Sequence, residues 1–256
     1  MAFNGEVLIY DGTPSDLFGL YIYNDNGSFD ESVGESSELI TGNVVRSPFR
    51  FLYGRGEIDV LEFDISLVSK KPITRERRSE IYKWIVGRNG YKKLQIVQDD
   101  LNAIYFNAIF TEAKDIFHGN DMYGISVTAV CDSPYAYEEP VKYTATSSVS
   151  AEIYNDSDIE DYIYPVIKIT MASSGGDISI INGNENTRAF TFTGLSGGEV
   201  VTIDNRLKTI ESSSGIRRLS AFNKNWFRLL PGVNTITVIG SGTVEITVPV
   251  IRRVSV

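Results

Sequence analysis

The chain has 256 residues, 42% of them hydrophobic and 22% charged, with a net charge of −9. That balance supports an ordinary globular core and works against general nucleic-acid affinity, which needs a basic field to meet phosphate. No apolar run reaches the ~18 residues of a membrane-spanning helix, and a single cysteine, Cys131, excludes an internal disulfide.

The start, MAFNGEVLIYDG, lacks a basic n-region and a long apolar h-region, so it reads as a first strand, not as a signal peptide. Residues 24–47 are rich in Asp, Glu, Ser and Gly and are expected to form a long loop or a β-hairpin arm. Residues 57–67 (EIDVLEFDISL) alternate with period two, which predicts one strand burying Leu61, Phe63, Ile65 and Leu67.

Pro72 ends that strand, and Thr74 is placed to cap a helix over residues 74–86. Ile81, Trp84 and Ile85 give it one narrow apolar stripe, and Gly87 is the expected C′ residue. Further strands are expected at residues 94–98, 103–110 and 123–131. Short strands punctuated by Gly, Asn and Ser suggest sandwiches or barrels.

After CDSPYAYEEP comes VKYTATSSVSAE, a Ser/Thr-rich stretch with the character of a linker. It divides the chain into an N-terminal domain at 1–138 and a C-terminal domain at 139–256. Strands follow at 165–171, 189–193 and 243–250, with VVTID and RLKTIES paired across Asp204-Asn205-Arg206. LLPGVN is a tight turn, with Pro231 setting φ and Gly232 taking a positive φ. TITVIG then alternates as an outer strand.

Few residues point to chemistry. Cys131 ends an apolar strand, so a buried small hydrophobe is the expectation over a catalytic thiol. His118 lies in the loop-like KDIFHGND, and a single histidine leaves no His-rich metal site. Asp99 and Asp100 suit a polar hairpin turn better than a carboxylate dyad. SSGGD and GLSGGE lack a P-loop lysine and read as β-turns, and INGNENT lacks the spaced ligands of a calcium loop. No catalytic residue, metal site or cofactor is therefore expected.

The run from Gly194 to Val248 carries the most specific pattern. Gly198-Glu199, Ile203-Asp204, Ile210, Gly215, Trp226-Phe227, Leu229, Pro231-Gly232 and Asn234 fall in the order seen in the C-terminal domain of siphophage distal tail proteins, which this segment resembles. The first domain is similar to that family's ring-forming domain in Leu17-Phe18-Gly19-Leu20, in the helix with Trp84 followed by LQIVQDD and AIYFNAIF, and in the closing CDSPYAY.

The resemblance implies a mainly β fold: a β-rich α+β ring domain with one helix, followed by a galectin-like antiparallel β-sandwich. It implies a structural virion protein, a homo-oligomeric, hexameric ring at the tail tip. Its partners would be the tail tube protein, a tail-tip hub or fibre-bearing protein, and a receptor-binding protein. DNA would pass through the lumen without specific binding, and no membrane is involved. The competing reading is a carbohydrate-binding β-sandwich, supported only by 14 scattered tyrosines. A hydrolase would need convergent ionisable groups that the sequence does not assemble.

Charge placement supplies interface candidates. Residues 1–138 hold 13 basic and 21 acidic residues, a net of −8, whereas 139–256 hold 11 and 12, a net of −1. Between Lys70 and Lys93 nine cations face only Glu76 and Glu80. Arg75, Arg77 and Arg78 on the helix, and Asp30, Glu31 and Glu35 in the acidic stretch, are the candidates for a head-to-tail contact between subunits.

Overall fold

The computed structural model describes residues 7–23, 37–43, 50–98, 101, 103–147, 149–186 and 188–254. The chain divides into two compact units, Met1–Tyr137 with Arg252–Val256, and Glu138–Ile251. It is mainly β, with 18 strands and one α-helix among the described residues.

In the first unit the elements are β1 (Val7–Tyr10), β2 (Thr13–Pro14), β3 (Leu20–Tyr23), β4 (Ser37–Asn43), β5 (Arg50–Ile58), β6 (Glu62–Ser69), α1 (Arg75–Ile85), β7 (Lys92–Val97), β8 (Ile104–His118) and β9 (Asp121–Cys131); β10 (Ala136–Thr146) begins there. Antiparallel pairing runs β3–β6–β9–β8–β7–β1–β2. Phe63, Ile65 and Leu67 of β6 do point into the core, together with Leu8, Tyr10, Leu94, Phe106 and Ile125. Each such buried side chain contributes roughly 1.5–3 kcal/mol.

The single strand expected over residues 57–67 is instead two. β5 ends at Ile58, and Asp59 and Val60 turn outward before β6. Leu61 stays in register, since Cys131 N–H donates to its carbonyl at 2.9 Å. β5 pairs with β4 as a separate two-stranded ribbon. Of residues 24–47, expected to form a loop or a hairpin arm, Ser37–Asn43 is strand β4, while 24–36 and 44–47 lie outside the described residues.

Helix α1 forms where the sequence places it. Thr74 Oγ1 accepts from Arg77 N–H at 3.3 Å, closing one of the orphan donors of the first turn. Ile81, Trp84 and Ile85 bury the stripe. Trp84 stacks on Phe18 and donates its indole N–H to the Tyr10 carbonyl at 3.1 Å. Gly87 is not left-handed. A Cβ there would lie 2.7 Å from the Lys83 carbonyl, so close approach is what the position requires.

β8 and β9 extend beyond the expected strands. A register shift after Phe110 marks where alternate burial along β8 ends and its side chains become mostly exposed, while the paired β9 keeps Met122, Ile125 and Val127 in the core. KDIFHGND is therefore strand as far as His118, with the turn at Gly119-Asn120. His118 is exposed, edge-on to Tyr123.

The second unit adds β11 (Ala151–Asn155), β12 (Val166–Met171), β13 (Gly176–Asn182), β14 (Ala189–Leu195), β15 (Val200–Asp204), β16 (Thr209–Ser212), β17 (Gly232–Gly240) and β18 (Gly242–Arg252). One sheet runs β16–β15–β12–β18–β10 and the other β11–β17–β13–β14. Ile167, Ile169, Ile203 and Ile246 of the first meet Ile180, Phe190, Phe192 and Val238 of the second in one core, which makes a two-sheet sandwich.

Two expectations fail here. VKYTATSSVSAE is not a linker, because β10 and β11 run through it and Tyr143 and Ala145 pack into the sandwich core. Thr and Val suit a pleated strand as well as a tether, and Ser/Thr content alone cannot separate the two. TITVIG is not an outer strand either, since β17 pairs on both sides, with β11 and β13.

Candidate assembly surfaces

The motif residues of the second unit are structural. The segment from Phe222 to Leu230 lies against the core without regular strand pairing, so its backbone needs other partners. Asparagine side chains supply them. Asn205 accepts from Phe227 N–H at 2.8 Å and donates to the Pro165 carbonyl at 2.7 Å. Asn234, fully buried, accepts from Leu230 N–H at 2.9 Å and donates to the Leu230 and Gly232 carbonyls. Asn182 donates to Asn234 at 2.8 Å, and Asn155 donates to the Leu230 carbonyl at 3.1 Å. Gly232, at φ +80°, makes the turn that brings Asn234 back onto Leu230.

Glu199 of the Gly198-Glu199 motif is buried and accepts from Arg218, Ser212, Ser214 and the Ser196 N–H. The Arg218 guanidinium beside it holds its carboxyl down to about 2. This is an ion pair that ties the loop after β16 to the turn before β15.

The groups that could have signalled chemistry are accounted for among the described residues. Cys131 is buried, and desolvation, with Asp132 close by, pushes its thiol up to about 12. Asp99, Asp100 and Asn102 lie outside the described residues, while Leu101 between them is buried. No group of three or more His, Cys, Asp or Glu that could hold a metal ion occurs among the described residues. No helix there is long and apolar enough to cross a membrane. Among the described residues of the sandwich unit, Tyr154 and Tyr164 are the exposed aromatic side chains.

The arginine patch sits in the first turn of α1. Arg75 is exposed, Arg77 pairs with Glu80 at 2.9 Å and lies over the Phe18 ring, and Arg78 is ion-paired with Asp115 and donates to the Tyr82 hydroxyl at 2.9 Å. Two of the three cations are thus neutralised within the chain. Cations at a helix N-terminus oppose the macrodipole, so helix stability does not ask for them. Asp30, Glu31 and Glu35 lie outside the described residues.

Sequence reasoning missed the second candidate surface. The β4–β5 hairpin leaves Ile40, Phe51, Leu52 and Tyr53 exposed at 52%, 53%, 62% and 74%. The cluster Phe51-Leu52-Tyr53 is a run of three large apolar residues without alternation, and that was the available signal.

The chain is mainly β in two units, and among the described residues the buried Asn155, Asn182, Asn205, Asn234 and Glu199 bond to the chain's own backbone and side chains. The chain belongs to a family of phage tail proteins: residues 3–133 match the phage tail protein N-terminal domain and residues 135–248 the phage tail C-terminal domain. A curated relative is the SPbeta prophage-derived protein YomH of Bacillus subtilis (strain 168), 22% identical over 92% of this chain and 93% of that one. Among solved structures, the Dit (gp 19.1) protein of phage SPP1, described as a paradigm of the hub adsorption apparatus of phages infecting Gram-positive bacteria, shares the fold. Its TM-score is 0.71 at 13% identity, covering 95% of this chain and 98% of that one. A chain of the phage P2 baseplate in its activated conformation with calcium matches at a TM-score of 0.56 and 9% identity, over 91% and 90%.

Proposed function

We propose that this chain is the distal tail protein of a long-tailed phage, a structural ring at the tail tip that joins the tail tube to the host-adsorption apparatus. The observation that carries the reading is the likeness to the SPP1 hub protein through both units, over 95% of this chain. The ring is a homo-hexamer. Its neighbours are the tail tube protein on one side and a tail-tip hub or fibre-bearing protein on the other, with a receptor-binding protein held by the C-terminal unit. The role is mechanical and involves no catalytic step.

Physical features support assembly. A lone two-stranded ribbon is marginal in water, and its exposed Phe51, Leu52 and Tyr53 favour a covering partner. Heterologous contacts between neighbours close into a ring, and the cations of α1 set register more than affinity. A net charge of −9 keeps DNA moving through the lumen without specific capture.

Light scattering with electron microscopy tests this, on the chain alone and mixed with the tail tube protein of the same phage. Closed rings are the expected result. A chain that stays monomeric in both conditions would overturn the assignment.

A further inference from the structure

Among the described residues, one edge of the sandwich is bare and lies beside cations in no ion pair. β16 is the terminal strand of its sheet. Hydrogen bonding alternates along an antiparallel ladder, and two bonds set its phase here. Met171 N–H donates to the Glu199 carbonyl at 3.0 Å, and Ser213 N–H donates to the Val200 carbonyl at 2.9 Å. Residues 199, 201 and 203 therefore bond towards β12, and 200, 202 and 204 towards β16. Thr209 and Glu211 use their backbone groups on β15. The N–H and C=O of Ile210, and the N–H of Ser212, face the open side.

The protein covers the outer edge of β14, in the other sheet, with its own chain. Thr193 N–H donates to the Ala221 carbonyl at 2.9 Å, and Asn223 N–H to the Thr191 carbonyl at 3.0 Å. Among the described residues β16 has no such cover. Instead an open depression of about 240 Å³ lies there, lined by Lys208, Ile210, Arg217, Arg218 and Leu219. Arg218 is committed to Glu199, while Lys208 and Arg217 are exposed and in no ion pair among the described residues. A lysine on an edge strand is a common guard against aggregation. The exposed Leu207, Ile216 and Leu219 around it are the opposite of a guard.

We infer that β16 is a strand-addition site for an extended, acidic–aliphatic segment of another tail protein. This rests on the tail-tip reading above. The incoming backbone pairs with Ile210, its carboxylates meet Lys208 and Arg217, and an aliphatic side chain between them fills the depression against Leu219. A nucleic-acid strand supplies no amide ladder for Ile210, whereas a peptide supplies both donor and acceptor.

The probe is a short synthetic peptide alternating valine and glutamate, with a valine–lysine peptide as control, titrated into the full chain. Fluorescence anisotropy reads binding, and amide hydrogen exchange reads the edge. The valine–glutamate peptide is expected to bind, to protect the Ile210 and Ser212 amides, and to weaken with salt. Lys208→Glu with Arg217→Glu should weaken it about tenfold at an unchanged melting temperature. Ile210→Pro should abolish it by deleting the outward N–H while sparing the ladder bonds of Thr209 and Glu211. No binding, equal binding of the lysine peptide, or binding without protection at Ile210 would overturn the site. So would protection at Ile210 that rises with protein concentration alone, which would assign the edge to a second copy. Light scattering run in parallel separates the two readings: lost rings with intact peptide binding refute the hub assignment, and the reverse refutes the site.

Discussion

The Arg78 guanidinium and the Asp115 carboxylate form an ion pair that joins helix α1 to the outer half of β8. Tyr82 donates its hydroxyl to the same carboxylate, whose side chain is only 12% exposed. Arg78→Glu therefore sets a second carboxylate against Asp115 and should lower the melting temperature. Asp115→Asn, which removes the charge that Arg78 meets, should lower it less. Arg75→Glu, at an exposed position, should leave stability within about 0.5 kcal/mol. The arginine patch is consequently best tested with Arg75→Glu and Arg77→Glu together. That pair should weaken ring formation, more at low salt than at high, while circular dichroism stays unchanged. Rings that form equally well would assign the patch to solvent or to another tail protein.

Asn234 closes the turn after Pro231 with bonds to Leu230 and Gly232, and it orients Asn182. Asn234→Ala leaves several buried backbone groups unpaired, each worth about 1–3 kcal/mol. Denaturant unfolding should show a loss of roughly 3 kcal/mol or more in the sandwich transition. Asn234→Asp restores the acceptor but not the donor and should be intermediate or worse, because it buries a charge. A loss below about 1 kcal/mol would refute the clamp.

Period-two alternation made β6, β7, β12, β15 and β18 readable, and Thr74 with the Ile81-Trp84-Ile85 stripe did the same for α1. Beyond Phe110 the side chains of β8 are mostly exposed and alternation vanishes, which hid the outer half of β8, whereas β9 keeps its alternation through Met122, Ile125 and Val127 and was readable from residue 123. Strand neighbours are set by long-range pairing, so TITVIG could be read as a strand but not as one lying between two others. The motif positions Glu199 and Asn234 were legible in the chain. Their burial was not, because a polar residue enters a core only when tertiary partners satisfy it. Arg78 likewise looked free because Asp115 lies 37 residues away.

Glu199 links stability to acid. Its folded-state pKa, about 2, lies below the ordinary 4.5 because Arg218 and the surrounding donors favour the charged form. A depressed carboxyl contributes its full stabilisation above the ordinary value, and that contribution is lost as pH falls from about 4.5 towards 2. Glu199→Gln should therefore unfold more easily at neutral pH and show a flatter stability profile across that window. Arg218→Ala leaves the carboxylate buried and unpaired and should cost about 3–5 kcal/mol. Denaturant titrations at neutral pH and near pH 3 would measure both. A wild-type profile in Glu199→Gln would show that other carboxyls carry the acid dependence.

Cys131 should be inert in the folded chain. Burial pushes the thiol up to about 12, so almost no thiolate exists at neutral pH. A thiol reagent should label it only in denaturant, and rapid labelling under native conditions would contradict its place in the core.

The hairpin carries the last prediction. Ile40, Phe51, Leu52 and Tyr53 are each more than half exposed in the chain, so replacing them removes little folding energy. Polar substitutions at exposed sites stay within about 0.5 kcal/mol. In a subunit contact the same residues would bury most of their apolar surface, each worth up to about 1.5–3 kcal/mol. Phe51→Ser, Leu52→Ser and Tyr53→Ser combined should therefore leave the melting temperature of the monomer nearly unchanged while raising the concentration needed for ring formation at least tenfold. Thermal melts and light scattering over a concentration series read the two effects separately. If the melt drops and assembly follows it, the hairpin packs within its own chain. If neither moves, it faces solvent or another tail protein, and the subunit contact must be sought on other strands of the first unit.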